Sequence, residues 1–199
     1  MPWRQHSSVQ VSRSFDMGFW PDPAYCLWIA NLGNRHIAFK EKLWYKTVAS
    51  EIAKDIIAES EGLRVGMTYC DPAMAVHTGA DIKTIKDTFE DNGVPMDCSV
   101  NNRIYYAQAI HAALAEEASP GVPRLQILSS GCPYLIRTLP LMKFDLRAGR
   151  ELAMADHKHD HACVTLSYYL ISHASDQRKS FTQHHLPRWM QPKMPRKRY

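Results

Sequence analysis

The seven residues Ala24–Ala30, Ala-Tyr-Cys-Leu-Trp-Ile-Ala, form an unbroken apolar run between Pro21-Asp22-Pro23 and the turn chemistry of Asn31-Leu-Gly-Asn34. A run this short, walled by chain breakers at both ends, reads as a strand. Upstream, Val9–Phe15 is β-rich and alternates imperfectly before Asp16-Met-Gly18. A glycine two residues past an acid suits a strand that ends where backbone passes close to something. Downstream, Arg35–Tyr45 alternates through Ile37, Phe39, Leu43 and Trp44. Three strands joined by short turns predict an antiparallel meander.

The period changes at Thr47. Over Thr47–Ser60, Val48, Ile52, Ile56 and Ile57 fall at helical spacing, with Glu51, Lys54, Asp55 and Glu59 opposite them and Gly62 as a stop. A strand over Arg64–Tyr69 runs into Cys70-Asp71-Pro72, and a helix over Asp81–Asp91 closes at Asn92-Gly93. Met96–Val100 predicts a short strand, and Arg103–Glu117 a helix turning Ile104, Ala107, Ile110, Ala113 and Leu114 inward. Pro120-Gly-Val-Pro123 reads as a loop, Arg124–Leu128 as a strand and Cys132–Met142 as a helix beginning near Pro133. The segment 145–155 fits neither period. His161–Ser172 predicts the last helix, with Ala162, Leu166, Tyr169 and Leu170 as its apolar stripe. The expected class is therefore α/β: a three-strand antiparallel meander, then alternating helices and parallel strands in one mixed sheet flanked by helices.

Hydrophobic content of 45% supports a real core. No run of 18 apolar residues predicts a membrane span, and the N-terminus lacks the apolar stretch of a signal peptide. Cys26, Cys70, Cys98, Cys132 and Cys163 are odd in number and contain no C-x-x-C pair. That argues against a disulfide framework or zinc ribbon and fits a reducing cytoplasm. The net charge of +4 is a property of the tail: beyond Asp176 there are seven bases and no acid, leaving 17 of the 24 bases against all 20 acids. With Pro187, Pro192 and Pro195, the tail predicts a domain over residues 1–175 followed by a flexible basic segment over 176–199. Its candidate nucleic-acid contacts are Arg178, Lys179, Lys193, Arg196, Lys197 and Arg198.

Three acids stand at structural ends. Asp16 closes the first strand, Asp71 closes the strand after the first helix, and Asp160 begins the last helix. Sites in open α/β sheets form at carboxyl ends of strands and at helix N-termini. If the first and fourth strands are parallel neighbours, Asp16 and Asp71 lie side by side and the last helix brings Asp160 to them. Clustered carboxylates are hard oxygen ligands suited to Mg²⁺ or Mn²⁺. Two such ions would activate a water and stabilise the leaving oxygen of a phosphodiester. The histidines at 157, 159 and 161 raise zinc as a competing ion, but no cysteine partner or His-Glu-x-x-His helix accompanies them.

The order and the motifs resemble the C-terminal RNase H-like nuclease domain of tailed-bacteriophage terminase large subunits. Ser14-Phe-Asp-Met-Gly-Phe19 resembles its first-strand motif, and Tyr69-Cys-Asp-Pro-Ala-Met74 its second. Lys158-His-Asp-His-Ala-Cys-Val-Thr-Leu-Ser-Tyr168 resembles the third, with Val164 and Ser167 where the family often has an acid and an arginine. The resemblance spans about Val9 to Ser172. It implies a metal-dependent endonuclease cutting concatemeric double-stranded DNA, with Asp16, Asp71 and Asp160 as ligands of two Mg²⁺ or Mn²⁺ ions and His161 assisting. It further implies a packaging ATPase, a small terminase subunit and a portal as partners, in a bacterial host's cytoplasm. No Gly-x-x-x-x-Gly-Lys-Ser/Thr occurs, so the ATPase motif of such subunits is not in this chain. Two other readings are an impaired module that docks DNA or portal, and another RNase H-like nuclease such as a junction resolvase.

Overall fold

The computed structural model describes residues 9–77, 83–99, 103–142 and 160–185. Strands β1 (Gln10–Asp16), β2 (Ala24–Leu32) and β3 (Arg35–Trp44) form the expected meander, antiparallel at both junctions. Helix α1 (Ala49–Glu59) leads to β4 (Arg64–Cys70), and α2 (Ile85–Asp91) to β5 (Met96–Cys98). Helix α3 (Arg103–Ala115) precedes a small hairpin of β6 (Glu117–Ser119) and β7 (Val122–Pro123), then β8 (Leu125–Ile127). Helices α4 (Pro133–Thr138) and α5 (His161–His185) complete the described chain.

The six-stranded sheet has the order β5-β4-β1-β2-β3-β8. β4 runs parallel to β1, β5 parallel to β4, and β8 parallel to β3. Strand alternation splits the core. On one face Val11, Phe15, Cys26, Trp28 and Cys70 pack with Ile52 and Ile56 of α1 and Phe89 of α2. On the other, Tyr25, Leu27, Ile29 and Tyr69 pack with α5 and with Tyr106, Ile110 and Ala113 of α3. Ser14 Oγ donates to Thr165 O at 2.6 Å, so short side chains on β1 let α5 lie directly on the sheet.

Several details depart from the sequence reading. Leu114, expected inward, is 46% exposed, whereas Tyr106 joins the expected Ile110 and Ala113 among the buried residues of α3. The loop expected around Pro120-Gly121 is the β6–β7 hairpin, with Gly121 at φ 74°. Helix α5 continues past Ser172 to His185, through positions 178 and 179 of the basic segment. Asp156–His159 and residues 186–199, with Lys193, Arg196, Lys197 and Arg198, lie outside the described residues. No described helix is long and apolar enough to cross a membrane.

Candidate active site

Phe15 pairs with Cys70 across the parallel β1–β4 ladder, so Asp16 and Asp71 leave neighbouring strands at the same edge of the sheet. Both leave at the strands' carboxyl ends, as expected. Asp71 is locked at both oxygens. Its Oδ1 accepts the Ala73 N–H at 2.7 Å, capping the 3₁₀ turn Pro72–Ala75, and its Oδ2 accepts the Tyr168 hydroxyl at 2.6 Å. Tyr168 is itself buried, edge-on to Tyr106 with ring centroids 5.5 Å apart.

Helix α5 supplies the third side. Asp160 is buried and its carbonyl accepts Val164 N–H at 2.8 Å, placing it at the helix start. His161 Nδ1 lies 2.6 Å from Asp16 Oδ2, and His161 Nε2 lies 3.8 Å from Asp22 Oδ1. Burial raises the Asp16 pKa, the hydrogen bond and charge of His161 oppose that, and the charges of Asp71 and Asp160 add to it. For His161, burial disfavours the charge, but the Asp16 hydrogen bond and charge, with help from Asp160 and Asp22, raise the pKa. Both shifts favour a proton held within the Asp16–His161 pair. Burial, then the charges of Asp16 and Asp71, push the Tyr168 hydroxyl far above its ordinary range, so it stays a donor to Asp71.

The loop after β1 folds back on itself at Gly18. A Cβ there would sit 2.3 Å from Pro23 O, so only glycine permits the closed loop that aims Asp22 at His161. The same loop carries Phe19 and Trp20, 53% and 62% exposed. Lys46 N–H donates to Phe19 O at 2.8 Å and ties the loop to the chain leaving β3. Lys46 Nζ stands 4.5 Å from the Trp20 ring centroid, and Tyr45 meets Trp20 edge-on at 6.3 Å. An exposed aromatic and cationic rim thus begins three residues beyond Asp16.

The four predicted residues Asp16, Asp71, Asp160 and His161 therefore share one neighbourhood. Four others went unforeseen. Asp22 read as part of a chain breaker, Tyr168 as part of a motif with no stated role, and the Trp20–Lys46 pair joins segments too far apart to be linked by periodicity. Val164 is buried in the core against the sheet, and Ser167, fully buried, returns its hydroxyl to Cys163 O at 2.8 Å.

The donor set suits a hard divalent ion in kind: carboxylate oxygens whose mutual charge disfavours ionisation of Asp16, which a cation would relieve. In spacing, no group of three or more His, Cys, Asp or Glu side chains among the described residues is drawn together tightly enough to hold a metal ion. One oxygen of Asp16 is engaged by His161 and one of Asp71 by Tyr168.

This sheet order with its flanking helices is the fold of large-terminase nuclease domains. The nuclease domain of the phage P22 large terminase superposes with a TM-score of 0.66 at 11% identity, covering 87% of this chain and 86% of that one. The nuclease domain of the phage SPP1 large terminase, solved with bound Mn, gives 0.58 at 13%, covering 80% and 84%. The large terminase of a thermophilic bacteriophage gives 0.66 at 13%; 85% of this chain is covered, and the match spans only 40% of that chain's length. No protein-family model and no curated protein matches the sequence.

Proposed function

We propose that the chain is a metal-dependent DNA endonuclease module of the terminase type. The observation that carries this reading is the convergence of Asp16, Asp71, Asp160 and His161 from three elements at the carboxyl edge of a terminase-nuclease fold. Asp16, Asp71 and Asp160, which stand too far apart here to share an ion, would close on Mg²⁺ or Mn²⁺ when it binds, two ions being expected because in-line displacement must stabilise entering and leaving oxygens alike. When bound, the ions supply Lewis-acid polarisation of the phosphodiester and offset its charge.

The chain's own residues do the rest. Tyr168 and the Ala73 N–H hold the Asp71 carboxylate in one orientation from two sides. His161 steadies Asp16 through Nδ1, which leaves Nε2 on the side of Asp22 as the nitrogen able to pass a proton. The duplex would lie across the rim, with Lys46 facing the phosphate backbone and Trp20 the sugars and bases beside it. The substrate is double-stranded DNA cut with little base readout, as genome packaging requires. A packaging ATPase, a small terminase subunit and a portal are the partners this reading implies, and the basic segment from Arg178 and Lys179 to Arg198 would add backbone contacts.

Plasmid nicking with Mn²⁺ tests the reading. Supercoiled DNA should be opened by the native chain and left intact by Asp16→Asn. Intact DNA at every metal tried, with no effect of Asp16→Asn, would refute it. A second reading, a docking module without catalysis, is favoured by the lack of a tight three-donor group among the described residues. That reading requires DNA binding without nicking in the same samples.

A further inference from the structure

The other face of β1 carries a charge that the active site does not explain. Val11 and Phe15, two residues to either side of Arg13, are fully buried in the core beneath α1 and α2. Arg13 occupies the strand position between them, on the same face, at 4% exposure. A guanidinium at such a position is strongly unfavourable unless its charge is met.

Its contacts here are with hydroxyls. Arg13 Nε donates to Thr68 Oγ1 at 3.0 Å and Nη1 to Ser60 Oγ at 3.3 Å. Ser60 Oγ also accepts Trp28 Nε1 at 2.9 Å and donates to Ile56 O at 2.6 Å, so its capacity is spent. Among the described residues no carboxylate lies within ion-pairing distance of Arg13. A guanidinium has five N–H donors, so three remain beyond the two hydroxyl bonds. Arg13 also lines a cavity of about 550 Å³ between the end of α1, the start of β4 and the Gly93–Pro95 turn. Leu63, Val65 and Pro95 give it apolar walls.

We propose that this cavity is an anion-binding site, in which Arg13 receives the carboxylate or phosphate group of a small molecule whose apolar body rests on Leu63, Val65 and Pro95. The cavity has the size of a small-molecule site, and its lining mixes polar and apolar groups, with Arg13 as its cation and Glu61 as its acid. Planar donors of a guanidinium match carboxylate and phosphate oxygens in pairs. The site is separate from the acids at the sheet edge: Arg13 and Asp16 share a strand but face opposite layers. It stands whether or not the chain cuts DNA.

Calorimetric titration of the full chain with inorganic phosphate, acetate and hexanoate, at constant ionic strength, tests the proposal. At least one should bind saturably at one per chain. Phosphate as the tightest points to a phosphate ligand, and hexanoate tighter than acetate to a carboxylate with an apolar body. Arg13→Gln should weaken the tightest of them at least tenfold. Because that variant alters a buried position, Ala58→Trp provides the second arm: Ala58 is exposed, lines the cavity and leaves Arg13 untouched. It should weaken binding by a similar factor while the melting temperature is retained. Absence of saturable binding of all three probes, or equal binding by the Ala58→Trp chain, overturns the proposal.

Discussion

Tyr168→Phe removes one oxygen atom and tests whether Asp71 is a metal ligand held in place by its neighbours. The ring stays buried against Tyr106, so packing is nearly conserved. What disappears is a 2.6 Å hydrogen bond to a carboxylate oxygen. A bond to a charged group contributes about 1.5–3 kcal/mol. The Ala73 N–H still holds the other oxygen, so Asp71 loses one of two restraints and keeps its place at the end of β4. Removing such a supporting bond typically costs about 10–100-fold in metal affinity. The expected result is Mn²⁺ binding weakened by that factor in calorimetric titration, with DNA cleavage restored by raising Mn²⁺. The double variant with Asp71→Asn should bind no more weakly than Asp71→Asn alone. If the Tyr168→Phe chain binds Mn²⁺ within twofold of the native chain, or more tightly, the positioning argument fails. A melting temperature that collapses with unchanged affinity would assign Tyr168 to the core alone.

Three further outcomes follow from the geometry. His36 is buried, and burial, then the charges of His173 and Arg124, lower its pKa from the ordinary 6.5 to about 4. The unfolded chain therefore binds the proton first, and stability present above pH 6.5 is lost as pH falls toward 4, by at most roughly 3 kcal/mol. Urea unfolding across that range should show a shallower loss in His36→Asn than in the native chain; equal slopes would contradict it. Gly18→Ala places a methyl group against Pro23 O, so the loop must open at a cost of about 1–3 kcal/mol. Circular dichroism melts should register that loss, and nicking should fall with it, since Asp22 and the rim move together. Trp20→Ala with Lys46→Ala should weaken binding of a duplex oligonucleotide in EDTA and lower the salt dependence of that binding by about one phosphate contact. Unaltered affinity by fluorescence anisotropy would remove the rim from the DNA path.

Much of this architecture is readable in the chain because the governing signals are local. Turn chemistry at Pro21-Asp-Pro23 and Asn31-Leu-Gly-Asn34 sets the meander, and the change of period after Thr47 marks α1. The adjacency of Asp16 and Asp71 follows from strand order alone, once β4 is the parallel neighbour of β1. What escapes depends on contacts between distant segments. β8 has three residues and joins the sheet edge beside β3 across some ninety positions of sequence, a pairing no local pattern encodes. Which way Tyr168 points depends on how α5 rolls on the sheet, because Tyr168 and Tyr169 are equally buried yet serve different partners. Tyr168 reaches Asp71, whereas Tyr169 turns to Asn31 and His36. The end of α5 escapes for another reason: the apolar stripe stops near Ser172 while the backbone helix continues to His185.

The closure of α5 onto β1 also sets a timetable. Asp16 and His161 are 145 positions apart, and the Ser14–Thr165 bond spans 151. Contacts of such separation form late, since the chain must first lose the freedom of the whole intervening loop. A growing polypeptide that has made every described strand of the sheet has Asp16, Asp22 and Asp71 but still lacks Asp160 and His161. On the nuclease reading, cutting competence is the last property the folding chain acquires, and a ribosome-bound or prematurely ended product would be inert toward surrounding DNA.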